Sequence, residues 1–171
     1  MRSRRAAAAL GAAALCFLTA CQTQSDTTPP DEVSQALRGA FYALDGDTIA
    51  VEGEEGTARR IRLLGIDAPE HGDCGSDEAR DLLEQLVDVD ELILTFDPRS
   101  DREDRYGRTL AYIGTDDHDD LAQVLLAEGL VNAWWPSRAV EPARGASYTD
   151  NARQAQLEDL GNWQRCGDVG R

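Results

Sequence analysis

From about Leu37 the chain alternates between apolar and polar residues and turns often, leaving short apolar-rich runs along residues 40–44, 48–52 and 59–66, and again along 91–96 and 109–113. These runs predict five strands, with turns at Asp45-Gly46 and around residues 53–56. Between the third and fourth strands the period changes. Ala79, Leu82, Leu83, Leu86 and Val87 recur at i, i+3, i+4, i+7 and i+8, which predicts a helix with Ser76 as N-cap and Asp77 and Glu78 at its positive end. A second helix is expected from Asp119 or Asp120 to Glu128, with Gly129 just past its end. A third is expected over residues 148–160, stopped by Gly161. The order is three strands, a helix, two strands and two helices. It suits a mainly β, α+β fold built on a five-stranded Greek-key barrel with three helices, because no strand–helix alternation persists.

The first residues read as an address. Arg2, Arg4 and Arg5 precede an uncharged stretch, residues 6–20, as in a secretory signal. Leu18-Thr19-Ala20-Cys21 resembles the bacterial lipobox, in which the cysteine carries the lipid. An ordinary signal ending near a cysteine is the alternative, and Ser3-Arg4-Arg5 faintly resembles a twin-arginine signal. The implied organisation is a signal peptide over residues 1–20, a lipidated Cys21 and polar tether to 35, a folded domain over 36–166 and a short tail to 171. Acyl chains bury in lipid at about 0.8 kcal/mol per methylene, so they anchor without a spanning helix. The expected location is the outer face of the cytoplasmic membrane, with a shed soluble form compatible with the same pattern.

Charge narrows the function further. The 171-residue chain has 17 basic residues, all arginine, against 32 acidic ones, a net −15. Without residues 1–20 the balance is 14 arginines to 32 acids, or −18. Such a protein does not hold nucleic acid by bulk electrostatics, so any nucleic-acid chemistry rests on a small local site. An apolar content of 42% excludes a wholly disordered acidic chain. Removing the signal and committing Cys21 to lipid leaves Cys74 and Cys166. Outside the cytoplasm that even remainder favours a disulfide. A zinc site using His71 and Cys74 is the competing reading, weakened by the absence of a CxxC pair. The run Asp116-Asp117-His118-Asp119-Asp120 lacks the glycine and terminal glutamate of a calcium loop, so it reads as a solvated turn entering a helix cap.

Three stretches carry the candidate chemistry: Asp45-Gly46-Asp47-Thr48, then Arg62-Leu63-Leu64-Gly65-Ile66-Asp67-Ala68-Pro69-Glu70, then Asp104-Arg105-Tyr106-Gly107-Arg108. Each alone is an ordinary turn or strand. In this order and spacing, over about residues 36–163 and closing on Asn162-Trp163, they resemble the staphylococcal nuclease (thermonuclease) family. The resemblance implies an OB-fold barrel and a monomeric, calcium-dependent enzyme cutting DNA or RNA between phosphorus and the 5′ oxygen. It implies calcium ligation by Asp47, Asp67 and the Ala68 carbonyl, phosphate binding by Arg62 and Arg108, and a general-base or water-positioning role for Glu70. Arg105 and Tyr106 fall near the expected nucleotide phosphate. Trp135 lies about where the family carries stacking tyrosines, though an apolar rim residue is an equal reading.

The chemistry of these residue types agrees with those roles. Phosphodiester cleavage builds negative charge on phosphoryl and leaving oxygens. Arginine offers a permanently charged, planar fork of donors to meet it. Calcium takes hard oxygen ligands, and two aspartates with one carbonyl leave positions for water and a phosphate oxygen. A general base contributes about 10²–10⁴ in rate. The alternative is an inactive nuclease-fold module that binds partners at the cell surface.

Overall fold

The computed structural model describes residues 33–52 and 58–169. Cys16, Cys21, most of the tether and the turn expected around residues 53–56 lie outside the described residues.

The chain forms β1 (Val33–Arg38), β2 (Phe41–Ala43), β3 (Thr48–Glu52), β4 (Ala58–Leu63) and β5 (Ile66–Asp67). Then follow α1 (Ser76–Leu86), β6 (Glu91–Phe96), β7 (Thr109–Gly114), α2 (Leu121–Ala127), β8 (Asn132–Ala133), α3 (Gly145–Leu157) and α4 (Gly161–Cys166). Six strands make a curled sheet in the order β1-β6-β7-β4-β3-β2, and β5 and β8 pair beside it. The β4–β7 pairing is parallel, and the other pairings are antiparallel. This is the half-barrel of an OB-fold, as expected from the element order.

The two periods explain the burial. In β6, Leu92, Leu94 and Phe96 are buried while the residues between them are less so. In β3 and β7 buried residues run consecutively, because both faces are covered. Helix α1 brings Ala79 and Leu83 to the core, α2 brings Leu121, Leu125 and Leu126, and α3 brings Tyr148, Ala152 and Ala155.

Several elements depart from expectation. β1 occupies an edge, paired with β6 from Val33↔Phe96 to Arg38↔Glu91, so the strand starts inside the stretch read as tether. Most of its residues are exposed, which leaves little hydrophobic pattern to detect. The stretch read as one strand over 59–66 breaks at Leu64-Gly65. Gly65 has φ +88, and a Cβ there would lie 2.9 Å from the Tyr148 ring. The cap of α1 is Gly75 in the left-handed region, not Ser76, and it lacks a side-chain cap bond. The last helical stretch is two helices, since Asp159 and Gly161 both take positive φ between α3 and α4.

The second helix follows its signals closely. The Asp120 side chain accepts the Ala122 N–H. The Gly129 N–H bonds the Leu126 carbonyl at 3.0 Å and the Leu130 N–H bonds the Leu125 carbonyl at 3.1 Å, a Schellman ending around left-handed Gly129. The acidic run before it is a turn, in which the Thr115 hydroxyl oxygen accepts the His118 N–H at 3.1 Å.

Cys74 and Cys166 are disulfide-bonded, with a Cα–Cα distance of 5.8 Å, so Cys74 offers no thiolate to zinc. Around the bridge, fully buried Asn162 donates from Nδ2 to the carbonyls of Leu130 at 3.0 Å and Gly75 at 3.2 Å. Arg165 also pairs with Glu78 at 2.6 Å. α4 is therefore fastened to the start of α1, just downstream of Glu70.

Candidate active site

Strand pairing assembles the centre. Thr48 of β3 stands opposite Arg62 of β4, and the Leu63 N–H bonds the Asp47 carbonyl at 2.8 Å. The hairpin before Thr48 is fixed by Asp45, whose Oδ1 accepts the Asp47 N–H at 3.0 Å. Gly46 is required by close approach: a Cβ there would lie 2.5 Å from the Ala79 Cβ and 2.8 Å from the Ala68 Cβ. This lets the turn carrying Asp47 press against the turn carrying Ala68. The Ala68 N–H donates to Asp47 Oδ2 at 2.9 Å, and the Thr48 hydroxyl donates to Asp47 Oδ1 at 2.9 Å.

Arg62 is buried between these carboxylates. Its Nη2 donates to Asp67 Oδ1 and to the Ile66 carbonyl, each at 3.0 Å, and its Nη1 forms an ion pair with the Asp47 carboxylate. The residues expected to bind phosphate and those expected to bind cation thus hold one another. Burial pulls the Arg62 guanidinium below its ordinary value, Asp67 raises it, and the like charge of Arg108 lowers it again. Asp45 belongs to the same field. Burial raises its carboxyl, opposed by its bond to Thr48 and the charges of Arg62 and Arg108.

A cleft of about 740 Å³ opens beside the centre. Arg62, Arg105, Tyr106 and Arg108 line one part of it, and Trp134, Trp135 and Pro136 another. Arg108 is held by Asp104. Its Nε bonds Asp104 Oδ2 at 2.7 Å, while Asp104 Oδ1 accepts the N–H groups of Tyr106 at 2.8 Å and Arg108 at 3.0 Å. Burial alone would raise the Asp104 carboxyl, but these bonds and the Arg108 charge outweigh it and hold the group below the ordinary range. Tyr106 is 58% exposed, with the guanidinium carbons of Arg105 and Arg108 at 4.6 Å and 5.5 Å from its ring centre.

The structure thus brings Asp47, Asp67, Ala68 and Arg62 into direct contact and places Arg108, Arg105, Tyr106 and Trp135 along the adjoining cleft. Glu70 is exposed on the turn after β5, and its carbonyl accepts the Asp73 N–H at 2.9 Å. Among the described residues, no group of three or more acidic, histidine or cysteine side chains forms a metal cage. The oxygens gathered around Arg62, two carboxylates and the Ile66 carbonyl, are of the hard type that calcium takes. The supporting acids Asp45 and Asp104 sit inside the quoted motifs without having been singled out. Their signal was an aspartate two residues before Asp47 and another four before Arg108.

The fold and site together define a small OB half-barrel domain with an arginine–carboxylate centre beside a cleft lined by arginines and aromatic residues. Comparison with known proteins specifies the class. The family of staphylococcal nuclease homologues matches residues 60–165, and the chain belongs to that family. It is 34% identical over 137 residues to the SPbeta prophage-derived endonuclease YokF of Bacillus subtilis, covering 74% of this chain and 44% of that protein. It is 34% identical over 139 residues to endonuclease YncB of Bacillus subtilis, covering 74% of this chain and 61% of that protein. Over 161 residues it is 31% identical to thermonuclease of Staphylococcus intermedius, covering 80% and 84% respectively. The chain therefore spans under two thirds of the two Bacillus relatives and most of the staphylococcal one.

Proposed function

We propose that this chain is a calcium-dependent phosphodiesterase that cleaves DNA or RNA between phosphorus and the 5′ oxygen. The observation that carries the reading is the Arg62 guanidinium, held by Asp47 and Asp67 in the wall of a cleft that Arg108 also lines. Two permanently charged forks at one cleft suit a single tetrahedral phosphate, whose oxygens gain charge as the ester breaks. Arg62 and Arg108 bind those oxygens. Glu70, three residues beyond Asp67, orients the attacking water or takes its proton. Tyr106 and Arg105 flank the nucleotide phosphate, and Trp135 stacks on a base.

Calcium would be held by Asp47, Asp67 and the Ala68 carbonyl, and when bound it supplies polarisation of the phosphoryl group. The residues' own contribution is positional. The Ala68 N–H and Thr48 hydroxyl fix both oxygens of Asp47, and the Ile66 carbonyl steadies Arg62. The test is plasmid digestion with calcium and with chelator, beside Arg62→Ala and Glu70→Ala. Cleavage lost with chelator and in both variants is expected. Undiminished cleavage by both variants would place the chemistry elsewhere, and no cleavage by the wild-type protein would favour a binding module of the same fold.

The enzyme is carried at the outer face of the cytoplasmic membrane by lipid on Cys21, a reading supported by the basic start, the uncharged run and the small residues before that cysteine. Cys21→Ser should move the protein from the membrane fraction to the medium.

A further inference from the structure

The Asp97 side chain ties two wall segments of the cleft to each other. Asp97 follows β6 and is only 5% exposed. Its Oδ1 accepts the Arg99 N–H at 2.7 Å. Its Oδ2 accepts the Ala143 N–H at 2.6 Å and the Tyr112 hydroxyl. Arg99, Ser100 and Asp101 line one wall, immediately after Asp97. Ala139, Val140 and Pro142 line the other, immediately before Ala143. One buried carboxylate thus accepts main-chain donors at the roots of both walls, across 46 residues of sequence. A buried charge is expensive unless its oxygens are met by donors, so its position is strongly specified. Tyr112 stays a donor, because burial and the Asp97 carboxylate raise its hydroxyl well above the ordinary tyrosine value.

We propose that Asp97 is a positioning residue that sets the spacing of these cleft walls and, through it, the affinity for the polynucleotide flanking the scissile diester. The inference rests on the nuclease reading. The inner groups have separate supports: Arg108 is held by Asp104, and Arg62 by Asp47 and Asp67. The start of α3 has its own supports too. Asp120 Oδ2 accepts from Arg144 Nη1 at 2.7 Å and from the Tyr148 hydroxyl at 2.6 Å. A change at Asp97 therefore loosens the walls while the arginine centre and α3 remain attached.

The test compares the wild-type protein with Asp97→Asn, which places an amide where only acceptors fit, and Tyr112→Phe, which removes one of the donors together with the acceptor of the Arg144 N–H. Both are assayed on a single-stranded oligonucleotide and on bis(4-nitrophenyl) phosphate, a small diester without bases. Asp97→Asn should raise KM for the oligonucleotide about tenfold, with its kcat and the small-diester rate within about twofold of wild type. Tyr112→Phe should shift KM the same way by less, and it serves alone if Asp97→Asn does not fold. Parallel loss on both substrates would make Asp97 a general structural residue and overturn the proposal, as would an unchanged KM. If the wild-type protein hydrolyses neither substrate, the nuclease reading fails, and quenching of tryptophan fluorescence by the oligonucleotide tests the cleft instead. Weaker binding by about tenfold in Asp97→Asn then supports the role of Asp97. Equal binding, or no quenching of the wild-type protein, overturns it.

Discussion

Arg62 donates to Asp67, five positions further along the chain, at 3.0 Å, because the chain reverses at left-handed Gly65 between the two. The same guanidinium reaches back to Asp47, the neighbour of its strand partner Thr48. Arg62→Ala should therefore act on stability as well as rate. Leaving buried Asp47 and half-buried Asp67 without their shared cation should cost about 3 kcal/mol in urea unfolding without calcium, and nuclease rate should fall about 10²–10³-fold. Unchanged unfolding would show that the carboxylates do not depend on the arginine.

Glu70→Gln should separate the two effects. The side chain is exposed, so unfolding should match wild type within about 0.5 kcal/mol, while turnover should fall about 10²–10⁴-fold. A rate near wild type would remove Glu70 from the chemistry.

The disulfide closes a loop across a sequence separation of 92 residues. In the chain-entropy account, losing it should cost about 4–5 kcal/mol, read as a lower urea midpoint for Cys74→Ser/Cys166→Ser. Its position after Glu70 adds a functional expectation: the serine variant should lose turnover before it loses global fold. Mass spectrometry finding Cys74 and Cys166 as free thiols in protein kept under non-reducing conditions would contradict the bridge.

Asp104 gives a pH-dependent test. Its carboxyl lies below the ordinary range in the folded protein, so it stabilises the fold at pH above its unfolded value. That contribution is lost as pH falls through the lowered folded value. Asp104→Asn should thus melt below wild type at about pH 6, and the gap should close toward about pH 2. A gap that does not change with pH would mean that the charge on Asp104 is irrelevant to how Arg108 is held.

Salt should act in an unusual direction. With 14 arginines against 32 acids beyond residue 20, the protein repels polyanions at long range. Screening shortens that repulsion to about 8–10 Å near physiological ionic strength. Activity on long DNA should hold or rise as moderate salt is added, measured at constant calcium. A steep monotonic loss would show that local arginine contacts dominate.

The β2–β3–β4 hairpins, α2 with its Asp120 cap and Gly129 ending, and the three motifs were legible in the sequence because each depends on neighbours within a few residues, whereas the parallel β4–β7 pairing that curls the sheet joins residues far apart in the chain. Period, caps and turn residues are local physics. Strand β1 was not legible, since its partner β6 lies far along the chain and its own residues are mostly exposed. Nor was the start of α1: Gly75 closes it in the left-handed region, packed against Asn162. At the site, motif spacing named the arginines and aspartates. Only the reversal at Gly65 and the β3–β4 register decided that Arg62 sits between Asp47 and Asp67. Asp97 could show in the sequence only as the first residue of an Asp-Pro turn, with its local bond to the Arg99 N–H; its link to the Ala143 N–H exists only because the folded chain brings together groups 46 residues apart.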